Sequence, residues 1–380
     1  MPLLKQRSRL HSKTAAGAVT LRPLQDLADQ MKALPLPLLD AALKREIAKR
    51  AAALTAGIEA YRQHPYRRAG SNPKLVWQEG TTRLLDFAPE SKGRPFLLIP
   101  SLINRAYILD LDQNTSLCSW LAGQGFHPYL VDWDSPAEEE RGFSMTDYVA
   151  GRLCQILDHV EGVSQQRPLV LGYCLGGLLA LGLAQLECSR LAGLVLLATP
   201  WDFHAEAAVA PSQLRLAALM AAPLIDSQGY LPVDGVQTLF YALDPWLAIR
   251  KFTAFAARDP DAPAAKAFVA LEDWLNDGVP LAGPVARELL FGWYAENRPQ
   301  RGLWRLAGRR VEPGKLELPT LAIIPHEDRI VPPSSALALA EALPNVTLER
   351  PAAGHIGMIV GRNAISSVWQ PIARWGASLP

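Results

Sequence analysis

A chain of 380 residues, 49% of them hydrophobic, can bury a large core without disulfide staples, and 38 basic residues against 37 acidic ones leave a net charge of only +1. So even a balance provides no overall field that favours nucleic acid or an anionic membrane, and nucleic acid is not expected as a partner. The four cysteines, Cys118, Cys154, Cys174 and Cys188, have neither metal-ligand spacing nor the look of a secreted disulfide framework. The basic start Met1 to Arg9 leads into no signal-peptide core, and no apolar run has bilayer length, so a reducing cytoplasm without a transmembrane segment is the expected setting.

In chain order, the first 20 or so residues are basic and rich in small side chains and read as a loose arm. From Leu38 to Tyr61 the spacing of Leu39, Leu43, Ile47, Leu54, Ile58 and Tyr61 predicts a helix, with Lys44, Arg45, Lys49 and Arg50 elsewhere on it. Such a helix is expected to cover the core; a basic amphipathic helix can also dock on a partner or a lipid-like surface. Arm and helix together make an amino-terminal region over residues 1–70. Trp77 and the stretch Leu84 to Phe87 predict an antiparallel hairpin that opens the core. The apolar runs Phe96 to Ile99, Tyr129 to Val131, Leu169 to Leu171, Leu194 to Leu197, Leu321 to Ile324 and Val346 to Leu348 then alternate with helical stretches. That alternation predicts an α/β domain, a mostly parallel sheet covered by helices on both faces, built from residues 71–200 and 311–380. The interval between Ala198 and Leu321 is too long for one crossover and is read as an inserted helical cap over residues 201–310. Its aromatic side chains either shape an acyl tunnel or pack the cap's own core.

Chemistry concentrates at three places. Gly172-Tyr173-Cys174-Leu175-Gly176-Gly177 lies between a strand-like run and a helix-like one, the glycine-x-nucleophile-x-glycine elbow of the α/β-hydrolase fold with a thiol as nucleophile. A glycine-x-cysteine-x-glycine string alone also describes a tight turn beside a buried thiol. What gives it weight is the order of the other two: Asp328 follows the strand-like Leu321 to Ile324, and His355 follows Val346 to Leu348, the nucleophile, acid, histidine order of this fold. Asp202 is the alternative acid, and His326, two residues from Asp328, is either a supporting group or a surface side chain. His11, His127 and His159 are expected at the surface or in packing, and Cys118, Cys154 and Cys188 as small apolar side chains. A thiolate at a helix start beside an imidazole is an activated nucleophile. An acyl-cysteine keeps the activation of a thioester donor, which suits transfer better than hydrolysis. The oxyanion needs backbone donors: Leu175 for one, and the loop Pro100 to Arg105, with Ile103 and Asn104 as candidates, for the other.

The elbow resembles the lipase-like box of polyhydroxyalkanoate synthases, in which cysteine replaces serine. Ile103-Asn104-Arg105-Ala106-Tyr107-Ile108-Leu109-Asp110-Leu111, Asp202-Phe203-His204, Glu327-Asp328-Arg329-Ile330-Val331-Pro332 and Gly354-His355-Ile356-Gly357 are similar to further segments of that family, so the likeness runs from about Leu75 to the end. The resemblance implies a cysteine acyltransferase that polymerises 3-hydroxyacyl-coenzyme A at the surface of a cytoplasmic polyester granule, with no cofactor beyond the thioester substrate. It implies Cys174 as nucleophile, His355 as base and Asp328 as acid. Trp274-Leu275-Asn276-Asp277-Gly278 looks like the family's cap motif, which makes Trp274 a substrate-binding candidate. Arg329 stands where the family commonly has histidine, and Ala106 where it has proline. The short chain is similar to the short forms that require a second synthase subunit, a homodimer is the other partner expected, and a relative that had kept only thioesterase or esterase activity is the alternative.

Overall fold

Along the strand-forming runs successive residues are apolar in both directions, and a strand of that kind is stable only when both faces of its sheet are covered. The computed structural model describes residue 29 and residues 35–206, 210–241 and 246–380; the expected loose arm over residues 1 to 20 lies outside them. Contacts divide the chain into two units, Met1–His64 with Trp246–Ala262, and Pro65–Pro245 with Pro263–Pro380.

The larger unit contains an eight-stranded sheet: β1 (Lys74–Glu79), β2 (Thr82–Asp86), β3 (Pro95–Ile99), β4 (His127–Asp132), β5 (Leu169–Tyr173), β6 (Gly193–Leu197), β7 (Thr320–Ile323) and β8 (Val346–Glu349). The spatial order is β1-β2-β4-β3-β5-β6-β7-β8. β2 runs against both of its neighbours, and every other pairing is parallel. Phe96 and Leu98 face one side of β3 with Leu169 and Leu171 of β5, where Leu117, Leu121, Ile372 and Ala373 cover them. Leu97 and Ile99 face the other side with Val170, under Ile156, Leu157, Leu178, Leu179 and Leu183. Each such buried side chain contributes about 1.5–3 kcal/mol, so this two-sided core fixes the sheet and with it the rim that carries the site.

Between β6 and β7 the described residues contribute no strand to this sheet; they form mainly helices, among them Pro211–Gln228, Val233–Tyr241, Leu247–Ala256 and Pro263–Asn276. Of the residues expected to form one cap insertion, 246–262 associate with the amino-terminal helix in the smaller unit. They come closest at Gly57, where a Cβ would run into the Phe252 backbone, beside Tyr61 and Phe252 rings 5.7 Å apart. That helix spans Leu36–Gln63, close to its expected extent, yet Leu43 and Ile47 on its predicted apolar face are each 57% exposed. No described helix is long and apolar enough to cross a membrane.

Candidate active site

β5 is buried along its whole length and ends at Tyr173. The next residue, Cys174, has φ 56° and ψ −125°, a backbone conformation that costs a non-glycine residue about 1–3 kcal/mol. The helix Leu175–Glu187 starts immediately, so a turn this sharp aims the Cys174 side chain off the carboxyl edge of the sheet. Gly172 and Gly176 make it sterically feasible: a Cβ on Gly172 would overlap the Gly176 carbonyl and Gly177 Cα, and one on Gly176 would overlap the Ile99 and Pro100 carbonyl oxygens. The Cys174 N–H donates to the Leu197 carbonyl at 2.9 Å, tying the elbow to β6. The side chain is half-buried, at a helix amino terminus whose dipole favours a negative charge.

Asp328 sits on the turn after β7 and His355 on the loop after β8, and the two meet. His355 Nδ1 donates to Asp328 Oδ2 at 2.6 Å, while Asp328 Oδ1 accepts from the Ile330 and Val331 N–H groups at 2.8 and 2.9 Å. With Nδ1 engaged, the other ring nitrogen is left for the Cys174 sulfur, which interacts electrostatically with the ring. Burial by itself would push the His355 pKa down; the Cys174 sulfur beside it and the Asp328 carboxylate outweigh that and raise it to about 10. Burial pushes the Cys118 thiol well above its ordinary value and the Cys154 thiol to about 11.

The remaining sequence candidates fall at different places. Asp202 Oδ1 accepts from the His204 and Ala205 N–H groups at 2.9 and 3.1 Å and from Asn297 Nδ2 at 2.7 Å, so this carboxylate caps a turn and the histidine goes to Asp328. His326 is a surface side chain 3.9 Å from Glu327. Leu175 opens the elbow helix, where the first amides have no intrahelical acceptor. The Ile103 N–H donates to the Ser101 hydroxyl at 3.2 Å, and Asn104 forms an isolated antiparallel bridge with Gly278. Trp274 is buried, and its indole N–H donates to the Arg105 carbonyl at 2.9 Å, so its polar edge serves the loop after β3.

Two contributors went unnoticed in the sequence. The Tyr173 hydroxyl donates to the His355 carbonyl at 3.1 Å, and its ring stacks on the imidazole at 5.2 Å. An aromatic residue inside the elbow string is the only signal that pointed there. Tyr294 is pushed up in pKa by burial and then by the neighbouring Cys174 sulfur, which puts its phenol near the nucleophile. Behind it Phe203, Trp293, Trp304 and Trp201 form a continuous aromatic wall, with ring centroids 5.0 to 6.2 Å apart.

Residues 94–362 match the α/β-hydrolase fold family. A poly(3-hydroxyalkanoate) polymerase subunit PhaC from Synechocystis is 30% identical over 80% of this chain and 84% of its own length. The chain belongs to the polyhydroxyalkanoate polymerase family of α/β hydrolases. A second family member, the PhaC subunit of Haloferax mediterranei, is 28% identical over 81% of this chain, which spans 64% of that protein. Among solved structures, a Paleococcus ferrophilus monoacylglycerol lipase aligns with a TM-score of 0.51 and 18% identity over 77% of this chain and 97% of that one, a likeness of fold. Family membership makes the chain an enzyme, and among the described residues no cluster of histidine, cysteine and carboxylate side chains is arranged to hold a metal ion.

Proposed function

We propose that the chain is an acyltransferase of the polyhydroxyalkanoate synthase type, with Cys174 as nucleophile, His355 as general base and acid, and Asp328 as the group that orients the imidazole. The observation that carries this reading is a thiol on a strained elbow facing a histidine whose far nitrogen is fixed by a carboxylate at 2.6 Å. In the first step the Cys174 thiolate attacks the carbonyl carbon of a 3-hydroxyacyl-coenzyme A. The C–S bond to coenzyme A then breaks, the electron pair leaves with the coenzyme A sulfur, and the imidazolium of His355 supplies the proton that makes it a free thiol. In the second step neutral His355 takes the proton of a chain-end hydroxyl as that oxygen attacks the acyl-cysteine, and the Cys174 thiolate is released. The Leu175 amide and an amide of the loop 101–105 stabilise the oxyanion in both steps. The aromatic side chains from Tyr294 to Trp201 pack into the core beside the site, and Trp274 borders it through its hold on Arg105.

Relatives named as polymerase subunits support a second copy or a second subunit as partner, and work at a cytoplasmic granule surface belongs to the same reading. Incubation with 3-hydroxybutyryl-coenzyme A is expected to release free coenzyme A and deposit polymer that chloroform extracts. Release of coenzyme A with free 3-hydroxybutyrate as the sole acyl product would overturn polymerisation in favour of a thioesterase.

A further inference from the structure

The loop after β3 is fastened at its far end to a stretch some 170 residues later in the chain, and the fastening is dense. Val279 N–H donates to the Ile103 carbonyl at 3.1 Å, Asn104 bridges Gly278, and the Trp274 indole donates to the Arg105 carbonyl at 2.9 Å. Added to these main-chain ties is one carboxylate with two donors from the loop: Asp277 Oδ1 accepts from Arg105 Nε at 3.1 Å and Asp277 Oδ2 from the Tyr107 hydroxyl at 3.2 Å. The other end of the Arg105 guanidinium reaches Asp134 and Ser135, and the Arg68 guanidinium lies over the Tyr107 ring at 4.5 Å.

This side-chain clamp is a poor device for stability. The Asp277 side chain is 46% exposed, and ion pairs with so much solvent around them add little to folding. What it does fix is direction, since Arg105 and Tyr107 converge on a single carboxylate from two positions of the same loop. The near end of that loop abuts the elbow, where Gly176 is pressed against the Ile99 and Pro100 carbonyls and Leu102 and Ile103 share a core cluster with Leu175. Any drift of residues 103–105 therefore changes the distance between the loop amides and the Cys174 sulfur.

We infer that Asp277 is a positioning residue: by clamping Arg105 and Tyr107 it holds the loop after β3 where its amides meet the oxyanion formed at Cys174. The inference rests on the acyl-transfer reading of the site, and two probes separate the two claims. Acylation by p-nitrophenyl acetate builds an oxyanion and releases p-nitrophenolate; alkylation by iodoacetamide displaces iodide at a saturated carbon and builds none. In Asp277→Ala, acylation of the full chain should slow about 10²-fold, the usual effect of a small misplacement at a reacting centre, through kcat with KM held. Alkylation of Cys174 should stay at the wild-type rate, and Asp277→Glu should recover part of the loss. If both rates fall together, or neither changes, the clamp does not act on the oxyanion and the inference is overturned. A wild-type chain acylated by p-nitrophenyl acetate but inert to 3-hydroxybutyryl-coenzyme A would sink the synthase reading and leave the clamp standing; inertness to both esters would overturn both.

Discussion

Among the described residues two buried histidine–carboxylate pairs stand out, and one of them lies beside a thiol. His355 donates to Asp328 at 2.6 Å, and His127 donates to Asp86 at 2.9 Å. The second pair sits between the last residue of β2 and the first of β4, at the amino end of the parallel strands, with the Tyr129 ring stacked on the imidazole at 4.4 Å and its hydroxyl 3.5 Å from Nδ1. The first pair comes from loops that follow β7 and β8, at the carboxyl end, where the elbow also delivers its thiol. A charged hydrogen bond in a dry interior is therefore a local solution for two polar side chains. What separates the two pairs is the neighbour of the imidazole: the Cys174 sulfur for His355, the Tyr129 hydroxyl for His127.

The widest gap between the pairs should show in Asp328→Asn and Asp86→Asn. The first leaves the imidazole in the wrong tautomer and should slow coenzyme A release by about 10⁴-fold. The second should leave turnover unchanged and lower the urea midpoint by the equivalent of about 1–3 kcal/mol, the cost of an unmatched buried group. Equal losses of turnover in both variants would erase the distinction. A smaller effect sharpens the role of sulfur. Removing it in Cys174→Ala should bring the His355 titration, followed by ring-proton NMR, well below about 10. In the wild type His355 is raised above its unfolded value of about 6.5. Its contribution to stability is thus complete below that pH and disappears as pH climbs towards about 10, so the alanine variant should show a flatter loss of stability over this window. The smallest change belongs to Tyr173→Phe, which keeps the stacked ring and deletes the hydrogen bond to the His355 carbonyl. A bond of about 0.5–1.5 kcal/mol predicts a fall in kcat of up to about tenfold, with the fold intact by circular dichroism.

Features written in local sequence were legible before any coordinates. All eight main-sheet strands overlap runs of apolar residues, the opening hairpin lies where Trp77 and Leu84 indicate, and the elbow follows from glycines whose absent side chains let backbone segments touch. The joining of Asp328 to His355 was foreshadowed by chain order, because each loop leaves the same rim of one sheet. Partnerships across long stretches of chain were not legible. Tyr173 reaches a carbonyl 182 residues away and Asp277 an arginine 172 residues away, and neither donor nor acceptor carries a mark of its partner. The association of residues 246–262 with the amino-terminal helix was hidden for the same reason, since a glycine at position 57 says that something comes close without saying what. His127 looked like a surface or packing residue; that Asp86 waits for it across two strands is a matter of register.

The contorted backbone at Cys174 sets evolution a standing temptation. A glycine there would accept φ 56° without complaint, so one codon change could make the chain easier to fold and, on the proposed reading, remove its nucleophile. A sulfur kept at such a site marks a position where a lineage that no longer needed the reaction would be free to relax.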